Sequence, residues 1–281
     1  MSKKRIGIIC IILSAFFFAL MNMFVRMSGD LPVFQKSFFR NLVAVLFALI
    51  VLLRKKPEIR LDKGDIGVLL LRSAFGTIGV LCNFYAVDHL LLADANILNK
   101  LSPFFALLMG VLILRERISL FQVSTVLIAF MGALLVIRPG AGVVSGSAVI
   151  GVLGGLAAGT AYTFVRKAGM RGIPGPFIVF FFSLFSCVVI FPIMAAGYVP
   201  MCHSQLVFLL LAGFSAAIAQ FCITAAYVNA PARDISIYDY SQIIFAAIIG
   251  FIAFNQIPDI YSWAGYTVIF GTALADFLHK K

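Results

Sequence analysis

The second half of this chain repeats the first at a constant offset of 140 residues. Phe24-Val25-Arg26-x-x-Gly29 recurs as Phe164-Val165-Arg166-x-x-Gly169, and Cys82-x-x-x-Ala86 as Cys222-x-x-x-Ala226. Asp94-x-x-Ile97 recurs as Asp234-x-x-Ile237, Phe105-Ala106-x-x-x-Gly110 as Phe245-Ala246-x-x-x-Gly250, and Ala133-Leu134 as Ala273-Leu274. No gap is needed from Phe24 to Leu134, which sets the chain out as two copies of one unit, residues 1–140 and 141–281.

The unit is apolar. The chain is 62% hydrophobic, with a mean hydropathy of +1.07, and 12% charged, against about 25% charged in soluble domains. This composition predicts an all-α integral membrane protein that crosses the bilayer many times. The net charge of +11 has no basic stripe interleaved with aromatics behind it, so no nucleic-acid partner is expected; cytoplasmic loops rich in Lys and Arg account for it. Cys10, Cys82, Cys187, Cys202 and Cys222 are odd in number and form no C-x-x-C, so neither a disulfide framework nor a zinc site is indicated. His89, His203 and His279 are scattered without metal spacing. No metal, no cofactor and no enzymatic activity is expected. Lys3-Lys4-Arg5 precedes an apolar run to about Val25 without a small-x-small cleavage site, which reads as a retained signal anchor.

A spanning helix needs roughly 20 mostly apolar residues. Ten segments qualify, at about 6–26, 34–53, 66–87, 91–113, 120–137, 148–167, 176–196, 205–228, 235–254 and 260–278. Pro32, Pro57, Pro139, Pro174, Pro200, Pro231 and Pro258 fall in the connections, where a missing N–H does no harm. No connection has room for a soluble or nucleotide-binding domain. With the N-terminus in the cytoplasm, inside segments hold 16 of the 22 basic residues and outside segments hold Arg26, Lys36 and Arg138. Both termini are therefore expected in the cytoplasm of a multi-pass cell-membrane protein. Five spans per repeat is an odd number, so the repeats enter from opposite faces and are inverted. Duplication of this kind marks secondary transporters, with a ligand site near the midplane between the repeats.

Lys100 lies nine residues into the fourth span, roughly 13 Å deep at about 1.5 Å per residue. A lone ammonium there costs roughly 2.5–3.5 kcal/mol, so it needs a counter-ion, a wet cavity or a protein partner. Asn99 precedes Pro103 by four positions, so Pro103 cannot donate to the Asn99 carbonyl and a kink is expected there. By the repeat offset Asn99 matches Asp239 and Lys100 matches Tyr240. Opposite charges thus fall at nearly symmetric places, and Lys100 and Asp239 are expected to flank one central cavity; a capping role for Asp239 is the alternative. Asn22, Asn83, Tyr85, Asn96, Tyr162, Gln220 and Gln242 lie at comparable depth in their spans. Amides in lipid need partners, so as a set they predict a polar, partly aromatic cavity. Arg40 and Arg72 lie nearer span ends, and Arg40 reads equally as a ligand-facing cation or one that snorkels to headgroups. Gly151-x-x-x-Gly155-x-x-x-Gly159 offers a small stripe for close backbone approach. Arg115-Glu116-Arg117 reads as a structural clamp at the cytoplasmic face.

Two stretches carry a resemblance: Leu101-Ser102-Pro103-Phe104-Phe105 through Leu114-Arg115-Glu116-Arg117, and Gly132-Ala133-Leu134-Leu135-Val136-Ile137-Arg138-Pro139-Gly140. They resemble the EamA branch of the drug/metabolite transporter superfamily. That resemblance implies two inverted five-helix repeats and cofactor-free movement, often export, of small metabolites such as amino acids, amines, nucleotide-like compounds or vitamins. The second repeat departs from the pattern with Gln256 where the family often has Glu. The expected function is secondary or facilitative transport of a small polar metabolite by alternating access. Coupling to protons through Asp239 and exchange without an ion both fit, and nothing sets an oligomeric state. The other reading weighed is an accessory or lipid-handling membrane protein that moves no small molecule.

Overall fold

The computed structural model describes residues 3–89, 98–137, 146–254 and 260–279, all of them helix or short connection. The helices are α1 (Lys3–Met27), α2 (Val33–Lys55), α3 (Asp65–His89), α4 (Ser102–Leu114), α5 (Leu120–Ile137) and α6 (Gly146–Met170). They continue as α7 (Gly175–Ala196), α8 (His203–Asn229), α9 (Ala232–Asp239), α10 (Ser241–Phe254) and α11 (Ile260–His279). Seven spans among the described residues are long and apolar enough to cross a membrane. Residues 91–97, which open the expected fourth span and include Asn96, lie outside the described residues, as does Gln256.

The bundle is built for lipid. Large apolar side chains stand on its outside, with Leu112, Val188, Ile252 and Phe270 all exposed, while Ser14, Ser37, Asn41, Ser73 and Ser183 are buried within. Proline starts helices where the sequence places it in connections: Pro32, Pro174 and Pro231 are the N-caps of α2, α7 and α9. Gly172, at φ +80°, ends α6, and Ile173 N–H returns to the Ala168 carbonyl at 3.1 Å, as a helix closed by a left-handed glycine does.

The glycine stripe of α6 brings backbones together. A Cβ on Gly159 would sit 2.7 Å from Ala106 N and Ser102 O of the α4 segment, and one on Gly155 would sit 2.5 Å from Leu98 O. On another face of α6, a Cβ on Gly154 would meet Cys82 Cβ of α3 at 2.9 Å. Small residues therefore hold α3 and α4 against α6 more closely than any side chain allows.

Two expected spans differ from a continuous helix. The fourth is interrupted by a turn at Lys100 and Leu101 before α4 begins, a fuller break than the kink expected from Pro103. The ninth, expected unbroken over 235–254, starts at Ala232 and is broken at Tyr240 between α9 and α10. The cause is long-range. The Asp239 carbonyl, which Ile243 N–H would take in a regular helix, accepts instead from Lys100 Nζ at 3.2 Å, and Ile243 N–H turns to the Tyr240 carbonyl at 3.0 Å. The two breaks fall at positions 140 residues apart.

Candidate functional site

The breaks meet across the bundle. Lys100 Nζ donates to Asp239 Oδ2 at 3.2 Å, to the Asp239 carbonyl at 3.2 Å and to Gln242 Oε1 at 2.7 Å. Both charged side chains are 5% exposed. The ammonium thus binds at the C-terminal end of α9, where unsatisfied carbonyls carry partial negative charge. Among the described residues Asp239 Oδ1 has no hydrogen-bond partner.

The pair borders a cavity of about 80 Å3, enough for several water centres at roughly 10–15 Å3 each. Asn99, Lys100, Asp239 and Gln242 line it from the two broken spans. Asn22, Asn83, Tyr162 and Gln220 line it from α1, α3, α6 and α8. Tyr162 stacks on Tyr227 with ring centres 4.9 Å apart, which fixes its ring. The remaining two expected site residues stand elsewhere. Tyr240 is fully buried at the helix break, outside the cavity lining. Tyr85 is outside the cavity lining and stacks on His89 at 3.9 Å.

Two arginines complete the cavity. Arg40 is 4% exposed, so it does not snorkel; its Nε contacts Met21 Sδ at 3.4 Å and its Nη1 donates to Asn41 Oδ1 at 3.0 Å. Arg72 is 2% exposed and lies over the Phe182 ring at 4.0 Å, a cation–π geometry. Gly76 makes room for it: a Cβ there would stand 2.2 Å from Arg72 Nη1 and 2.8 Å from Phe182 Cε2. Arg72, Gly76 and Phe182 were not expected as site residues. Depth along the helix could have found Arg72, which sits seven residues into α3, roughly 10 Å at about 1.5 Å per residue.

At the end of the bundle where α3 begins and α6 ends, ion pairs tie helices together. Asp65 binds Arg171 at 2.8 Å, and Glu116 binds Arg166 at 3.6 Å. Arg166 also donates to the Val228 carbonyl at 2.9 Å, and Arg233 donates to the Arg117 carbonyl. Burial raises the Glu116 carboxyl above the usual glutamate range, against the pull of Arg166 and Arg233. Among the described residues no cluster of His, Cys, Asp and Glu could hold a metal ion.

The profile of the EamA-like transporter family matches residues 5–138 and again 146–275. The chain belongs to that family. This EamA-like transporter is 31% identical over 278 residues to the pseudopaline exporter CntI of Pseudomonas aeruginosa, covering 98% of this chain and 97% of that one. It is 27% identical to the riboflavin transporter of Brucella anthropi, with 85% of each chain covered. It is 24% identical to human solute carrier family 35 member G1, over 98% of this chain and 80% of that one. A solved crystal structure shares its fold with a TM-score of 0.80, at 14% identity, over 97% of this chain and 96% of the other. A multi-pass membrane protein that transports a small molecule follows from the family and its relatives.

Proposed function

We propose that this EamA-like transporter moves a small polar metabolite (an amino acid, an amine or a nucleotide-like compound) out of the cell by alternating access to the cavity at Lys100 and Asp239. The observation that carries this reading is the meeting of two broken spans, at repeat-equivalent positions, on one buried ion pair beside a cavity. Half-helix ends at a midplane cavity are the usual site in transporters built from inverted repeats.

Helix packing supports the inverted-repeat arrangement and the ten spans. The repeat offset exchanges α1 with α6, α2 with α7, α3 with α8, α4 with α10 and α5 with α11. Under that exchange the pairing of α1 with α8 becomes that of α6 with α3, and both are extensive. Likewise α4 on α6 becomes α10 on α1, and α2 on α8 becomes α7 on α3, while α2–α7 and α5–α11 map onto themselves. A scaffold that is its own near mirror has two conformers of similar energy, one open to each face.

The ties Asp65–Arg171 and Glu116–Arg166 lie at the end that the distribution of Lys and Arg assigns to the cytoplasm. In this reading they are the ties of an inner gate. Export is favoured by the similarity to the pseudopaline exporter. Proton coupling has a ready site in Asp239, whose Oδ1 lacks a partner.

The test is access. A single cysteine placed at Asn99, in a chain freed of its five native cysteines, should react with a membrane-impermeant thiol reagent from both sides of the membrane. Labelling from neither side would mark a static bundle and sink the transport reading.

A further inference from the structure

Three basic side chains line the cavity, Arg40, Arg72 and Lys100, against one carboxylate among the described residues, Asp239. Lys100 is paired with it. Among the described residues no carboxylate pairs with Arg40 or Arg72: Arg40 has the thioether of Met21 and the amide of Asn41, and Arg72 has the Phe182 face, with its Nε left without a partner. Neither side chain reaches solvent or headgroups, since both are at most 4% exposed. Buried charges are ordinarily paired, so two guanidiniums in one cavity with no carboxylate partner among the described residues point to a counter-charge brought by a ligand.

We propose that the transported compound is an oxyanion, carrying carboxylate or phosphate groups, held between the guanidiniums of Arg40 and Arg72. The planar fork of a guanidinium matches both groups in two-point hydrogen bonds. Phe182 beneath Arg72 and the missing Cβ of Gly76 beside it fix that fork on the cavity wall. Asn22, Asn83 and Gln220 supply neutral polar contacts around the rest of the compound. The proposal rests on the transport reading and narrows its substrate to anions.

The experiment is thermal unfolding of the purified full chain at constant ionic strength. Succinate and citrate form the carboxylate arm, inorganic phosphate and adenosine monophosphate the phosphate arm, and succinamide and adenosine are the neutral counterparts. At about a hundredfold excess over Kd, an oxyanion should raise Tm by roughly 3 °C or more, and its neutral counterpart should not. The arm that responds names the acidic group. The rise should vanish in Arg40→Gln and Arg72→Gln, while their unliganded Tm stays at or above that of the parent, because an unpaired buried cation is gone. Arg72→Lys keeps the charge without the fork and should reduce the rise. No oxyanion effect, an equal effect of the neutral counterparts, or a loss of unliganded stability in both glutamine variants would overturn the proposal. An oxyanion effect with no labelling of position 99 from either side would sink the transport reading alone, and labelling without the effect would sink only the anion assignment.

Discussion

Replacing Lys100 by methionine removes the ion-pair partner of Asp239 and leaves a carboxylate that is 5% exposed in the middle of the bundle. Asp239 Oδ1 is already without a donor, and Oδ2 would lose its own at 3.2 Å. Breaking a buried pair by removing one member costs about 3–5 kcal/mol. For a chain of this size that is a fall in Tm of roughly 6–15 °C, at about 2–3 °C per kcal/mol. Asp239→Asn is milder. Lys100 keeps the backbone carbonyl at residue 239 and Gln242 Oε1 at 2.7 Å, so the ammonium loses its counter-charge but not its hydrogen bonds. The double variant carries no buried charge at either position, and its loss should fall short of the sum of the two single losses by about 2 kcal/mol of coupling. The assay is thermal unfolding of the four proteins in one detergent, with the coupling taken from the complete cycle. Additive losses would show that the two side chains do not interact and would refute the geometry.

Gly76→Ala should push the Arg72 guanidinium aside, since the new methyl meets its flexible end at 2.2 Å; anion-induced stabilisation should weaken while circular dichroism stays unchanged. Gly159→Ala meets backbone of the α4 segment at 2.7 Å, whereas Gly67→Ala meets nothing within 4 Å. The first should cost about 1–3 kcal/mol and the second should be neutral or stabilising by up to about 1 kcal/mol, as thermal unfolding will show. Burial raises the Glu116 carboxyl, so the folded state holds this proton more tightly than the unfolded chain does. Its ionisation therefore removes stability as pH rises from about 4, the ordinary glutamate range, toward neutrality. Glu116→Gln should be spared that loss, so its Tm relative to the parent should climb across this window; a flat difference would contradict the assignment.

The seven membrane-length helices among the described residues were legible because each depends on a local property, a run of apolar residues ended by proline, glycine or charge. The expected span at 176–196 and the observed α7 at Gly175–Ala196 differ by one residue. The break at Tyr240 was not legible, because nothing near it in sequence forces it; the Asp239 carbonyl is drawn away by an ammonium 139 residues earlier in the chain. Tyr85 shows a related limit. Its depth in the third span suited a cavity, but depth does not give the helix face, and its ring turned to His89 one turn away. Arg72 was passed over for its nearness to a span end, although Gly76 one turn on is the residue that lets it lie against α3.

The scaffold repeats, but the site does not. Each cation in the cavity belongs to the first repeat, and its counterpart in the second is uncharged: Arg40 answers to Phe180, Arg72 to Ala212 and Lys100 to Tyr240. The carboxylate Asp239 belongs to the second repeat and answers to Asn99, while Gln220 and Gln242 answer to Val80 and Ser102. Two identical repeats related by a twofold axis would line their cavity with matched pairs, which suits a symmetric ligand or none. Divergence has instead made the cavity a dipole, with its cationic side chains from one half and its carboxylate from the other. The cavity side chains can diverge while the glycine contacts of α6 and the α1–α8 pairing stay as they are. Under the proposed alternating access, selectivity can therefore change at a handful of cavity positions while the scaffold is kept, which fits a family whose named relatives include both a pseudopaline exporter and a riboflavin transporter.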